Sequence, residues 1–288
     1  MIPAQFDYLA PKTLDEAISL LSANQDGAKI LAGGHSLIPA MKLRLAQPQL
    51  LIDIGRIKDL SYIRNEDGQI RIGAMTTHYQ IESSDQLRQS CPLLPETAAS
   101  IGDVQVRNKG TLGGSLAHSD PAADWPAAML ALNATLIAVG PKGERSIGID
   151  NFFIDLLTTA LAPDEILREI RIAIPAGQVG QTYLKAPQPA SGFAVVGVAV
   201  NINRDGAGRC ASASIGITGV ASNAYRAAAV EKLLTGSALD EAAISAAAAH
   251  ATDGVEVNGD LYASDVYRSH LARVFASRAI KEAASRAK

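Results

Sequence analysis

Cysteine is nearly absent: among 288 residues only Cys91 and Cys210 occur, far apart and in no CxxC pair. A cysteine-ligated zinc or iron–sulfur centre within this chain alone is thereby excluded, and two isolated thiols fit a reducing cytoplasm. Aromatic residues make up 5% of the chain and Trp125 is the single tryptophan, too few for base-stacking platforms. Lys and Arg number 26 against 29 Asp and Glu, a net charge of -3 with no dense basic stripe, so nucleic acid is not an expected partner. No apolar run approaches the roughly 20 residues that span a bilayer. The opening MIPAQFDYLAPK also lacks a basic start followed by an apolar stretch, which predicts a cytosolic chain with neither export signal nor membrane span.

What is present is material for a core. Apolar residues are 48% and charged residues 19% of the chain, a globular balance with room for two modest domains or one large one. Residues 13–22 place Leu14, Ala17, Ile18 and Leu21 at helical spacing behind a capping Thr13. AKILAGG then reads as a short strand ending in two glycines, SLIPAMKLR as a helix and QLLIDI as a second strand. QIRIGAMTT (residues 69–77) predicts another strand and LLPETAASIG (residues 93–102) a tightly packed helix.

A second glycine-rich turn, GTLGGSLAHSDPAADWP, leads into the helix WPAAMLAL, with Asp124 as its cap and Pro126 in its first turn, and the strand ATLIAVG follows. The arrangement echoes that near Gly33 but is too short to count as a sequence repeat. EILREIRIAI ends at Pro175 and runs into a stretch rich in Gly, Gln and Pro, which sets a domain border near residue 177. Beyond it, FAVVGVAVNINRDGAGRCASASIGITGV predicts antiparallel strands around Arg204-Asp205-Gly206. Two or three alanine-rich helices follow, the last capped by Ser264 with Tyr267, Leu271, Val274 and Phe275 on one face. The fold class is α+β, with residues 1–177 divided into parts of about 1–55 and 56–177, and a smaller sheet-and-helix domain over 178–288.

The sharpest local feature is Ala32-Gly33-Gly34-His35-Ser36-Leu37, directly after a strand, where missing side chains let backbone N–H groups approach an anion. Gly110-Thr111-Leu112-Gly113-Gly114-Ser115 offers the same chemistry, with two added hydroxyls. A double glycine alone also serves ordinary tight turns; two in similar settings tilt toward a dinucleotide. Neither matches GxGxxG or GxxxxGK(S/T), so the Rossmann and P-loop readings have no warrant. His35 sits inside the first segment, where an acid–base role is conceivable. His78 and His118 read as loop histidines, lacking a third ligand at recognisable spacing. Asp103, Asp120 and Asp124 read as caps and loop acceptors, and no nucleophilic triad stands out.

These residues resemble a known family, the flavin-binding medium subunit of molybdenum-containing hydroxylases such as bacterial carbon monoxide dehydrogenase and quinoline oxidoreductase, related to the central domain of xanthine dehydrogenase. The resemblance covers nearly the whole chain. It rests on Phe6-Asp7-Tyr8 with Pro11 and Glu16-Ala17, AGGHSLIPAMKLRLAQP, IGAMTT, RNKGTLGGSLAHSDPAAD and YRSHLARVFASRAI. It implies a two-part FAD-binding region of the vanillyl-alcohol-oxidase (PCMH) type and FAD held without a covalent link. The two glycine segments, Ala32 to Ser36 and Thr111 to Ser115, would wrap the pyrophosphate and ribityl chain.

Carried over position by position, the resemblance also implies cofactor contacts at Asp124, at Ile101, at Leu167 near the adenine end and at Lys185. A cation near the ring would stabilise an anionic reduced flavin. Where some relatives have a tyrosine near the ring this chain has Phe193, which leaves packing without the hydroxyl, and where the family often has asparagine it has Ser115. The implied assembly joins a small subunit with two [2Fe-2S] clusters and a large subunit with the molybdenum pterin cofactor in a dimer of heterotrimers. This chain would then pass electrons to an external acceptor. The alternatives are a stand-alone flavin oxidase, with His35 or His118 as covalent attachment point, and a noncatalytic nucleotide-binding protein.

Overall fold

A computed structural model describes all of residues 1–288. Three short strands, β1 (Asp7–Leu9), β2 (Ala28–Leu31) and β3 (Leu50–Asp53), form a parallel sheet in the order β1-β3-β2. Parallel neighbours need a crossover, and helices α1 (Leu14–Ala23) and α2 (Leu37–Lys42) provide it. The Thr13 hydroxyl accepts from the Glu16 N–H and starts α1, whose Ala17, Ile18 and Leu21 are buried over a small core with Ile52, Ile54 and Leu60. The strand, glycine turn, helix, strand order expected from the sequence is present.

The next unit is a five-stranded antiparallel sheet, β4 (Ile63–Glu66), β5 (Gln69–Gly73), β6 (Thr135–Gly140), β7 (Gly143–Gly148) and β10 (Ile166–Ala173), in the order β4-β5-β10-β6-β7. A two-stranded β8 (Phe153–Asp155) and β9 (Thr158–Thr159) stands apart. Between β5 and β6 the chain inserts six short helices: α3 (His78–Glu82), α4 (Asp85–Ser90), α5 (Leu93–Ala99), α6 (Val104–Lys109), α7 (Leu112–His118) and α8 (Asp124–Ala131).

Three local expectations change here. The strand read over 69–77 stops at Gly73, because residues 74–77 leave the ladder to meet the second glycine segment, where Thr77 bridges to Thr111. The helix read over 93–102 stops at Ala99, and Gly102 takes the left-handed conformation (φ +47°). The second glycine segment is the first turn of α7 rather than a turn: the Thr111 hydroxyl accepts from the Gly114 N–H at 3.1 Å. A threonine cap of about 1 kcal/mol offsets much of the cost of helical glycine. A Cβ at Gly113 would lie 2.5 Å from the Ala74 Cβ.

The C-terminal sheet is antiparallel in the order β11-β12-β13-β14, comprising β11 (Gln178–Pro187), β12 (Ala194–Arg204), β13 (Cys210–Thr218) and β14 (Tyr225–Arg226). The hairpin at 205–209 is the turn expected there. Helices α9 (Ala228–Leu234), α10 (Glu241–Ala248) and α11 (Asp265–Arg286) cover it. Ser264 caps α11 as expected, and Leu271 and Phe275 of the expected face pack partly buried against the core, but the fully buried residues are smaller. Tyr267 is half exposed, while Ala272, Ala276, Ala279, Ile280, Ala283 and Ala284 face the sheet. Small residues win because the helix lies close: a Cβ at Gly180 would sit 1.8 Å from the Ala283 carbonyl oxygen.

All eight residues of α8 are buried, as befits a helix with neighbours on every side. On one side lies the main core around Trp125 and Phe152; on the other, β13 approaches so closely that a Cβ at Gly216 would be 2.1 Å from the Ala127 carbonyl oxygen. Tyr183 and Ala199 of the C-terminal sheet belong to that same core. No helix is long and apolar enough to cross a membrane.

Candidate functional site

The two glycine segments meet. A Cβ at Gly33 would lie 2.2 Å from the Lys109 carbonyl oxygen and 2.8 Å from the Gly110 Cα, and one at Gly114 would touch Ala32 at 3.4 Å. Their amides are used differently. The N–H groups of Gly33, Gly34, His35 and Ser36 donate to nothing within the chain, and the Ser36 hydroxyl makes no capping bond to α2. In the second segment Leu112 donates to Thr76, Gly113 to Ala74, Gly114 to the Thr111 hydroxyl and Ser115 to Thr111. The expectation of equal chemistry in both segments is therefore corrected. The first is an open nest of four successive donors, and the second packs against it while offering the Ser115 side chain.

Behind this joint, Trp125 Nε1 donates to His78 Nδ1 at 3.0 Å, and the His78 backbone N–H donates to the Gly110 carbonyl. His78 is not a loop histidine but the buried first residue of α3, capped by Thr77. Burial pushes its pKa down from 6.5 to about 4, with the charges of His35 and Arg107 adding to the effect. With Nδ1 accepting, the neutral ring carries its proton on Nε2. His118 ends α7, 4.0 Å from Asp120, and no group of three or more His, Cys, Asp or Glu side chains is arranged to hold a metal.

A second cluster forms where the C-terminal sheet docks. Asp124 is not the cap of α8; Ala123 holds that place, and the Asp124 carboxylate, 5% exposed, turns inward. It accepts from the Tyr183 hydroxyl at 2.5 Å and from Lys185 Nζ at 2.9 Å. Burial pushes its pKa up, against the pull of Lys185 and Tyr183. Lys185 also donates to the carbonyls of Ser100 (2.5 Å) and Gly192 (2.7 Å), so its three ammonium protons all have acceptors within the chain. Ile101 follows Ser100 and is partly buried against the main core. Phe193 follows Gly192 with 45% of its surface exposed. Leu167 is buried in the main core, next to the point where β10 slips register against β6.

The structure thus brings Ala32, Gly33, Gly34, His35 and Ser36 together with Thr111, Gly113, Gly114 and Ser115, and separately gathers Ile101, Asp124, Lys185 and Phe193. Leu37 opens α2 beside the nest, whereas the Leu167 side chain points into the core. Arg107, Tyr183 and the His78–Trp125 pair drew no functional reading from the sequence. Their partners lie 47 to 59 residues away for the last two, and no local pattern announces such a bond. A row of free amides beside a hydroxyl fits the pyrophosphate of a dinucleotide, as hydrogen-bond donors without competing acceptors require.

Residues 4–176 match the family model described as the FAD binding domain in molybdopterin dehydrogenase. Residues 181–283 match the CO dehydrogenase flavoprotein C-terminal domain. The chain is 40% identical over 288 residues to the carbon monoxide dehydrogenase medium chain of Afipia carboxidovorans, covering all of both. A chain of carbon monoxide dehydrogenase from Hydrogenophaga pseudoflava superposes with a TM-score of 0.97 at 41% identity over the whole of both chains. One from quinoline 2-oxidoreductase of Pseudomonas putida 86 gives 0.93 at 34% identity, covering 100% of this chain and 99% of that one. The fold is that of an FAD-binding oxidoreductase component. Within that class, the chain belongs to the carbon monoxide dehydrogenase-type medium subunits of the FAD-binding molybdopterin dehydrogenase family.

Proposed function

We propose that this chain is the electron-transfer subunit of a cytoplasmic molybdenum hydroxylase, taking electrons from the [2Fe-2S] clusters of a small partner subunit and delivering them to an external acceptor. Substrate oxidation then belongs to a large subunit with the molybdenum pterin cofactor, in a dimer of heterotrimers. The observation that carries the reading is the row of four free amides, Gly33 to Ser36, packed against the start of α7. When bound, FAD supplies a redox centre that takes electrons singly from iron–sulfur centres and passes on one or two.

The chain's own residues bind and orient. Gly33 to Ser36, flanked by Ala32 and Leu37, would hold the pyrophosphate through their free backbone N–H groups, and Thr111 to Ser115 would close the other side, with Gly33 and Gly114 permitting the close approach of the two segments and Gly113 that of α7 to Ala74. Ile101 and Phe193 would offer apolar surface for the ring, Asp124 and Lys185 hold the segments that carry them, and Leu167, which the resemblance puts near the adenine end, would act only from within the core.

The test is an absorption spectrum of the chain purified alone and with its co-expressed neighbouring open reading frames, followed by acid release of the chromophore. Released FAD, retained chiefly in the presence of iron–sulfur and molybdenum partners, is the expected outcome. Flavin that stays covalently attached, or a colourless protein in both preparations, contradicts the proposal.

A further inference from the structure

Arg107 lies in the last turn of α6, the helix that links the two halves of the site: its start follows the Ile101–Gly102 turn, and its end delivers Lys109 and Gly110 against Gly33. Asp103 fixes the start of α6 by accepting from the Gln105 and Val106 N–H groups at 2.8 and 2.9 Å. The Arg107 guanidinium, 17% exposed, donates through Nε to Glu82 on α3 at 2.7 Å. Through Nη1 it donates to the carbonyls of Ile101 at 3.1 Å and Gly102 at 3.3 Å. Lys185 takes the neighbouring Ser100 carbonyl and, from the other side, that of Gly192.

Three successive carbonyls just past the end of α5, groups that ordinarily turn to water at a helix terminus, are therefore held by two cations, Arg107 from the helix that follows and Lys185 from the C-terminal sheet. The turn also touches the segment that carries Phe193: a Cβ at Gly192 would lie 3.4 Å from the Gly102 Cα. We propose that Arg107 is a positioning residue, which together with Lys185 locks the Ser100–Gly102 turn against the Gly192–Phe193 segment and so fixes Ile101 and Phe193 as adjoining walls of the flavin slot. The inference rests on the FAD reading above, and Arg107 acts through these carbonyls without touching the cofactor. A planar guanidinium suits the task because its rigid fork holds Glu82 from Nε and the two carbonyls from Nη1, two separate nitrogens in fixed relative directions, whereas an ammonium presents all its donors from one nitrogen.

The experiment uses the full chain purified with its co-expressed partner subunits, stripped of flavin and titrated with FAD, with the flavin midpoint potential and thermal unfolding measured on the same preparations. Arg107→Gln is expected to weaken FAD binding about tenfold, the scale of lost charge-assisted hydrogen bonds, and to shift the potential. Arg107→Lys keeps the charge but not the fork and is expected to resemble Arg107→Gln. Glu82→Gln, which leaves the Nη1 bonds in place, is expected to be intermediate and supplies the reading should Arg107→Gln not fold. Wild-type affinity and potential in Arg107→Gln overturn the proposal, as does full restoration by Arg107→Lys, which marks a charge effect through space. If the wild-type preparation itself takes up no FAD, the FAD reading falls and this inference with it; uptake by the wild type with no difference among the variants sinks this inference alone.

Discussion

Gly33 and Gly113 share a letter and a double-glycine setting, yet one keeps its amide free and the other gives it to Ala74. At the residue scale, then, the site is decided by which groups are already engaged. His78 shows the same principle on a titratable group. Its ring is sealed behind the joint with Nδ1 bonded to Trp125, and it resists protonation until about pH 4, whereas an exposed histidine protonates near 6.5. The unfolded chain takes up that proton between these values and the folded chain does not, so stability falls as pH drops from 6.5 toward 4. The full effect is roughly 3 kcal/mol. His78→Gln, which keeps an acceptor for Trp125, should lose this part of the slope. Urea unfolding of both proteins at a series of pH values checks it, and parallel stability curves over that window would contradict the assignment.

At the element scale, close approach of backbone governs the C-terminal domain. Residues 264–288 show both a large-residue stripe and an alanine stripe, and periodicity alone favours the bulkier one as the core face. The structure seats the alanines deepest, with Leu271 and Phe275 partly buried beside them, because α11 rests directly on β11, with Gly180 under Ala283. Gly180→Ala must push the helix off the strand, since its Cβ would meet the Ala283 carbonyl oxygen at 1.8 Å and the Ala287 nitrogen at 2.6 Å. A loss of about 1–3 kcal/mol or more is expected from such overpacking, read from the denaturation midpoint. Gly206→Ala, where a Cβ meets nothing within 4 Å, serves as the control and should change little. The ends of α5 and β5 were less legible than their existence, because each stops where a distant segment takes over its hydrogen bonds.

At the scale of the whole molecule, we propose residue 177 as the seam between the FAD-binding region and the C-terminal domain, at the passage from β10 to β11. The seam in the chain is not a gap in the core. The helix α8 is buried between the two parts, β13 lies against its Ala127 backbone, and Tyr183 reaches across to Asp124. Neither part keeps its buried surface without the other, which predicts a single cooperative unfolding transition for the isolated chain. Differential scanning calorimetry with matching calorimetric and van't Hoff enthalpies would agree with this, while two resolved transitions would show the parts to be independent.

The sequence by itself determined the features that depend on short-range chemistry: the helices begun by Thr13 and Ser264, the strand and glycine turn before Ser36, the hairpin at Asp205-Gly206, and the order of sheet and helix along the chain. Caps, turn residues and apolar periodicity act within a few residues, so they are readable in one dimension. The family motifs in RNKGTLGGSLAHSDPAAD were readable too, but the work of their individual residues was not. Only the tertiary structure decided that the first glycine segment keeps its amides open and the second spends them on Ala74 and Thr76, that Asp124 turns from the helix start to Lys185 and Tyr183, and that Arg107 reaches Glu82 on α3. The reason is physical. A donor's partner is whichever acceptor the packed fold brings within about 3 Å, and for these residues that acceptor comes from a separate segment of the chain.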